Sequence, residues 1–363
     1  MPKRPLISAH IIQRGEMSPL HAWGYRALAI LFALAAGGVF LAVLGYSPLS
    51  VYGTMLKGAL GSPGMQKETI KLTIPLALTS LGVLLAFKMR FWNIGAEGQI
   101  AAGAIAASYF AYYQSHLPSI LLLPLMALAG ILAGGLWGLI PAWFKTRFGT
   151  NETLFTLMLN YIVMHFIVYL REGPWRDPAG GIASMPRFPK VARLPELPFP
   201  FVGNIHIGWI VVLLMVVLMF LYLRFTKHGF EVAVVGENER TARYAGMPVK
   251  RIILRTMFIS AGICGLAGMM QVAGPDRQLT DAIAGGRGFT AVSVVWLARL
   301  SPFGSLAVAF LFSVMQKGCS MMQTEYRIPA SMSDILQGII LFCVLGAEFF
   351  LQYRVIRRKE AMT

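Results

Sequence analysis

The chain has 363 residues, 56% hydrophobic and 13% charged, with a net charge of +16 and a mean hydropathy of +0.63. Soluble domains average about 45–50% apolar and about 25% charged residues, so a water-soluble fold is excluded. The basic residues lie in loops between apolar runs, as the positive-inside rule expects, which argues against nucleic acid as a partner.

Ten apolar segments are predicted in chain order, at about 27–45, 70–87, 98–113, 120–144, 154–170, 207–223, 253–272, 289–299, 304–323 and 335–352. Most reach the roughly 17–25 residues that cross a hydrocarbon core. The first follows basic residues as a signal peptide does, but it is longer than an h-region of about 7–15 residues and is read as a span. The fold class is therefore an all-α polytopic membrane protein of about ten transmembrane helices. Charge places both termini in the cytoplasm: residues 1–26 form a cytoplasmic segment, 27–352 the transmembrane domain and 353–363 a basic cytoplasmic tail. Two loops are long, a proline-rich outward loop at 171–206 and a charged cytoplasmic loop at 224–252; the other connections read as tight.

The segment Phe91-Trp92-Asn93-Ile94-Gly95-Ala96-Glu97-Gly98-Gln99 interrupts two apolar runs with polar residues and glycines. Irregular polar backbone at membrane depth survives only where protein or a water-filled cavity surrounds it, and broken helices mark transport paths. Asn93, Glu97 and Gln99 are candidates to line that path, with Asn160 deeper in the fifth segment. The competing reading is a structural turn in which Glu97 pairs with Lys88 or Arg90, while Asn160 and His165 bond neighbouring helices.

A second interruption near 297–304 gives a faint internal repeat. Leu85-Ala86-Phe87-Lys88-Met89-Arg90 matches Leu297-Ala298-Arg299-Leu300-Ser301-Pro302, each preceding a helix of small residues. Gly130, Gly134 and Gly138, and likewise Gly262, Gly265 and Gly268, form stripes suited to close helix packing. Cys264, Cys319 and Cys343 sit in apolar runs without metal-ligand spacing and read as packing residues.

Asn151 or Thr150 caps the fifth helix, with Glu152 at its positive end. In the cytoplasmic loop, Gly236-Glu237-Asn238-Glu239-Arg240-Thr241-Ala242-Arg243-Tyr244-Ala245-Gly246-Met247-Pro248 predicts a short helix capped by Asn238 and stopped by Gly246 and Pro248. Two turns are unstable alone, so the bundle or a partner must hold them. No Gly-x-x-x-x-Gly-Lys phosphate loop, His-Glu-x-x-His or Gly-x-Ser-x-Gly occurs, so no catalytic residue, metal site or cofactor is placed on this chain.

In order, the stretches at 91–99, 151–162 and 236–246 resemble permeases of bacterial ABC importers of the branched-chain amino acid, ribose and nucleoside superfamily. The wording Asn-Ile-Gly-Ala-Glu-Gly-Gln is nearest the nucleoside branch; Ser301-Pro302 departs from the Asn-Pro expected there. The resemblance implies a non-enzymatic, pore-forming subunit in the bacterial inner membrane and a second homologous permease. It also implies a cytoplasmic ATPase holding ATP and Mg, and an extracytoplasmic solute-binding protein. It makes the 237–246 helix the element that couples to the ATPase, through Glu237, Asn238, Arg240, Ala242, Arg243, Tyr244 and Gly246. Nucleosides are the expected cargo. Ribose, another simple sugar or a branched-chain amino acid is the alternative within this architecture, and an ion-coupled secondary transporter is the alternative outside it.

Overall fold

The computed structural model describes residues 7–13, 19–178, 184–199, 202–329, 335–336, 338–339, 342–343, 346 and 353–359. The chain divides into two compact units, Met1–Gly58 with Met315–Thr363, and Ala59–Val314.

In the first unit, β1 (Ile7–Gln13) pairs antiparallel with β4 (Tyr353–Lys359), joining the two chain ends in a ribbon that the apolar pattern did not predict. Helix α1 (Pro19–Val43) is followed at Gly45 by a left-handed turn and then α2 (Pro48–Leu60). The apolar parts of α1 and α2 meet at 115°, so the expected first span continues into a sharply bent second helix. Helix α2 was missed because Ser50, Thr54 and Lys57 dilute its apolar character. Leu41, Val51, Met55, Cys319 and Met322 form this unit's core.

The second unit holds α3 (Pro63–Lys88), α4 (Ala96–Tyr113), α5 (Ser119–Phe148), α6 (Glu152–Glu172), α7 (Gly208–Phe225), α8 (Lys227–Glu237), α9 (Glu239–Tyr244), α10 (Val249–Gln271) and α11 (Arg287–Leu297). It also holds the start of α12 (Pro302–Tyr326), which continues into the first unit. Among the described residues six helices are long and apolar enough to cross a membrane, or seven counting the bent pair. The short α11 and the polar-fronted α4 do not qualify as independent spans, and the expected segment at 335–352 lies largely outside the described residues.

Helices α3 and α10 are almost wholly buried and form the centre, with α4 and α5 packed on α10. The glycine stripes make this contact possible. A Cβ on Gly265 would stand 2.1 Å from the Gly130 carbonyl oxygen, and one on Gly134 would stand 2.6 Å from that of Ala261. Gly268 abuts the Ile100 carbonyl of α4 in the same way, at 2.0 Å. Backbone meets backbone along the seam, as small-residue faces allow in membranes. Cys264 fills the adjoining gap against Gly82 of α3, and Ser260 donates to the Gly82 carbonyl at 2.7 Å. Gly265→Ala is therefore expected to destabilise the protein by about 1–3 kcal/mol through overpacking. Thermal unfolding in detergent checks this, with Gly53→Ala as control because open space surrounds that position.

The described part of the loop 171–206 carries regular structure. It contains the hairpin β2 (Glu196–Phe199) and β3 (Gly203–His206), and docks on the far end of α10 through the Leu194 amide to the Ala273 carbonyl and the Phe188 amide to the Arg277 carbonyl. Tyr112 at the end of α4 donates to the Pro186 carbonyl at 3.0 Å. Burial holds His206 down at about 4, so its ring is neutral at pH 7.

Candidate functional site: a carboxylate held between two helix starts

The interruption at 91–99 is a knot whose polar side chains are buried and bonded. Helix α3 ends with Arg90 in the left-handed region (φ 56°), closed by the Arg90 amide to the Phe87 carbonyl and the Phe91 amide to the Ala86 carbonyl. Asn93 then forms an Asx turn, its Oδ1 accepting from the Gly95 amide at 3.1 Å, and exchanges two amide hydrogen bonds with Gln99. Asn160 of α6 accepts from the Gly98 amide at 2.9 Å and donates to the Ile94 carbonyl at 3.0 Å. Asn93, Glu97, Gln99 and Asn160 are all buried with their polar atoms bonded to protein. Asn93 precedes α4 rather than sharing a helical face with Glu97, because the chain is irregular until Ala96.

Glu97 pairs with neither Lys88 nor Arg90. Its two carboxylate oxygens accept from the Gly286 and Gly288 amides, each at 2.6 Å. These amides open α11, and Glu97 itself lies in the first turn of α4, so one carboxylate meets two positive helix starts. Gly288 is obligatory: a Cβ there would stand 2.3 Å from the Glu97 amide nitrogen. The Arg287 guanidinium lies close enough to Glu97 and Asp276 to interact with both.

The helix ends at the two interruptions share one turn, though not in the register of the two matched stretches. Arg299 ends α11 in the same left-handed turn (φ 52°), with the Arg299 amide bonded to the Trp296 carbonyl and the Leu300 amide to the Val295 carbonyl. Arg90 thus corresponds to Arg299, and Phe87 to Trp296. Those two rings touch at 5.9 Å, and Trp92 stacks on Trp296 at 5.7 Å.

Sequence reasoning missed the other half of this site. Residues 277–286 are not a tight connection but an irregular strand of chain leading from one π-helical turn, Val272–Asp276, to α11. Gln271 donates to Asp276 at 2.9 Å, and Arg287 donates to the Ile283 and Ala284 carbonyls. Gln271 Oε1 and Arg287 Nε are buried without a partner among the described residues. The run Gly285-Gly286-Arg287-Gly288 ahead of an apolar segment was the available signal. Buried orphan groups of this kind invite hydration or exchange of partners in another state.

On the far side of the knot lies α9, built as its sequence implied. Asn238 Oδ1 accepts from the Arg240 and Thr241 amides, and Gly246 (φ 76°) ends the helix. Glu237, Asn238, Arg240, Arg243, Tyr244 and Gly246 are exposed, Tyr244 at 93%, whereas Ala242 is buried and anchors the helix inward. A cavity of about 550 Å³ lined by Trp92, Lys145, Asn151, Arg243 and Lys250 adjoins α9. Asn151, as expected, caps α6. Helix α8 joins α9 to the knot: a Cβ on Gly236 would stand 2.0 Å from the Lys88 carbonyl oxygen, and Arg90 donates to the Glu237 carbonyl at 3.4 Å.

Six long apolar helices, buried polar interruptions and an exposed two-turn helix braced on them define a multi-pass membrane protein of the transporter class. The chain belongs to the branched-chain amino acid transport system / permease component family, whose model matches residues 67–345. It is 34% identical to the glucose ABC transporter permease protein TsgB13 of Haloferax volcanii, over 92% of this chain and 90% of that protein. It is 33% identical to the guanosine ABC transporter permease protein NupP of Bacillus subtilis, over 88% and 92%. It is 29% identical to the nucleoside ABC transporter permease protein NupB of Lactococcus lactis, over 92% and 93%. The protein is a pore-forming ABC transporter permease subunit, and a separate ATPase hydrolyses ATP.

Proposed function

We propose that this permease carries nucleosides inward across the bacterial inner membrane. The observation that carries the reading is that the charged groups around the knot are already committed to one another: Glu97 accepts from two amides, Asp276 accepts from Gln271, and Arg287 lies between the two carboxylates, so none of the three is left to hold an ionised cargo. The guanosine and nucleoside relatives point the same way. A sugar is the second reading, favoured by the glucose relative; both solute types present a neutral polyhydroxylated ring.

On this reading the chain crosses ten times with both ends cytoplasmic, α9 docks on the ATPase, and loop 171–206 meets a solute-binding protein. A second permease completes the pore. The exposed face of α6 supports that partner, because Tyr161, Phe166 and Tyr169 surround His165, and intramembrane histidines face protein or water rather than lipid. The knot of Asn93, Gln99 and Asn160 holds the path open beside α11 rather than touching cargo.

Uptake of labelled adenosine, guanosine, uridine, ribose, glucose and leucine in cells with and without the gene tests the cargo. Loss confined to nucleosides, restored by the gene, is the expected result; loss of glucose or ribose uptake instead selects the sugar reading. Replacing Arg243, Tyr244 and Ala245 together by bulky acidic residues should abolish ATP-coupled uptake with normal membrane insertion. Unchanged uptake would sink the role given to α9.

A further inference from the structure

Helix α7 turns sharply into α8. Thr226 caps α8 by accepting from the Gly229 amide at 3.0 Å, and the corner closes because residue 229 has no side chain: a Cβ there would stand 2.4 Å from the Tyr222 carbonyl oxygen. Between this corner and the second turn of α10 lies a cavity of about 340 Å³. Every lining residue is polar: Tyr222, Thr226, Lys227, His228, Glu231 and Arg255.

Lys227 and Arg255 form no ion pair among the described residues, so with Glu231 the cavity carries one net positive charge. His228 is buried, with Nδ1 bonded to the Tyr222 hydroxyl. With that hydroxyl donating, the ring proton sits on Nε2, which has no acceptor among the described residues.

The depth of the cavity is set by α7. Its 18 residues span about 27 Å, close to a hydrocarbon core, so the corner falls at the polar boundary. Leu221, Phe225 and Phe230 beside it are exposed, and the Arg224 guanidinium stacks on Phe220 and Phe225. Basic groups around a polar hole with apolar side chains at its rim match a phosphodiester headgroup whose acyl chains lie along α7.

We propose that this cavity binds the phosphate of an anionic phospholipid carrying a single negative charge, and that the bound headgroup fixes the α7–α8 corner from which α8 runs to Gly236 and α9. The cytoplasmic placement rests on the topology proposed above; the anion chemistry does not.

The test uses the complete permease in nanodiscs of phosphatidylcholine alone or with a minor fraction of phosphatidylglycerol, read by thermal unfolding and by native mass spectrometry of retained lipid. Phosphatidylglycerol should raise the unfolding temperature and remain bound. Lys227→Gln with Arg255→Gln should weaken its retention roughly 30-fold, at about fivefold per cation, and abolish the thermal shift. Glu231→Gln should strengthen retention, which keeps the proposal testable if the double variant folds poorly. The lipid site is overturned by equal stabilisation in both lipids, by an undiminished shift in the double variant, or by inorganic phosphate reproducing the shift without the anionic lipid. Labelling of Lys227→Cys by an impermeant maleimide from outside only would overturn the topology while leaving the lipid result intact.

Discussion

Glu97→Ala should cost the permease both stability and transport. The carboxylate accepts from the Gly286 and Gly288 amides at the start of α11, each at 2.6 Å. Alanine leaves the buried Gly288 amide unpaired, at about 1–3 kcal/mol, and the half-buried Gly286 amide unpaired at a smaller cost. It also removes the negative charge that two helix starts share, about 0.3–1 kcal/mol per helix near a surface and more when buried. Uptake should fall by at least about tenfold, since a shift of only 1.4 kcal/mol in the position of α11 suffices for that. Glu97→Gln keeps one acceptor oxygen but turns its carboxamide NH2, a donor, toward the second amide, so it should fall between wild type and alanine in both measurements. Glu97→Asp is shorter by one methylene and should not reach both amides. Paired measurements of detergent unfolding and vesicle uptake check the series. An alanine variant with wild-type unfolding and uptake would show that the carboxylate does not hold α11.

Why one half of this site could be read from the sequence and the other could not follows from how its residues signal themselves. Asn93, Glu97 and Gln99 announce themselves by polarity between two apolar runs, and Asn238 by a cap followed by a glycine stop. Their local geometry is dictated by side chains within a few residues, as in the Asx turn and the α9 cap. The partner of Glu97 is not local: backbone amides 189 and 191 residues away leave no mark on the side-chain pattern. Lys88 and Arg90 were the near cations, but Arg90 is committed to the left-handed end of α3 and points to the Glu237 carbonyl instead. The glycine stripes of α5 and α10 could be read because close packing needs small residues at regular spacing. The eighth apolar segment is short for a physical reason: α11 has 11 residues, about 16 Å, less than a hydrocarbon core, and is preceded by the irregular 277–286 chain. Matching Leu85 with Leu297 followed apolar identity, whereas the shared feature is a helix-ending arginine, which places Arg90 opposite Arg299.

Gly236→Val should uncouple the transporter. Helix α8 crosses the end of α3 at this residue, where a Cβ would stand 2.0 Å from the Lys88 carbonyl oxygen and 3.3 Å from Met89 Cα. Both neighbours are backbone, so a side chain can be accommodated only by moving α8 off α3 by about 1 Å or more, out of normal van der Waals contact distance. That contact links α9 to the knot through α8. Only Asn238 separates α8 from α9, and the Lys88 end of α3 leads directly through Phe91 and Asn93 to Glu97 and α11. Phe91 is also held under the Lys145 ammonium, which pairs with Glu152 at the start of α6, so displacement at Gly236 is delivered to a braced segment. With α9 as the docking element, the variant should still bind its ATPase and hydrolyse ATP in reconstituted membranes, yet import at least about tenfold less cargo per ATP, because a displacement costing 1.4 kcal/mol in coupling suffices. The contact lies at the edge of the bundle and not in the α5–α10 seam, so unfolding temperature should change less than for Gly265→Ala. Gly236→Ala, with a smaller intrusion, should give a partial loss. Import per ATP equal to wild type in the valine variant would mean that α9 moves the pore through some other contact, leaving the α10 start at Val249 as the remaining covalent route.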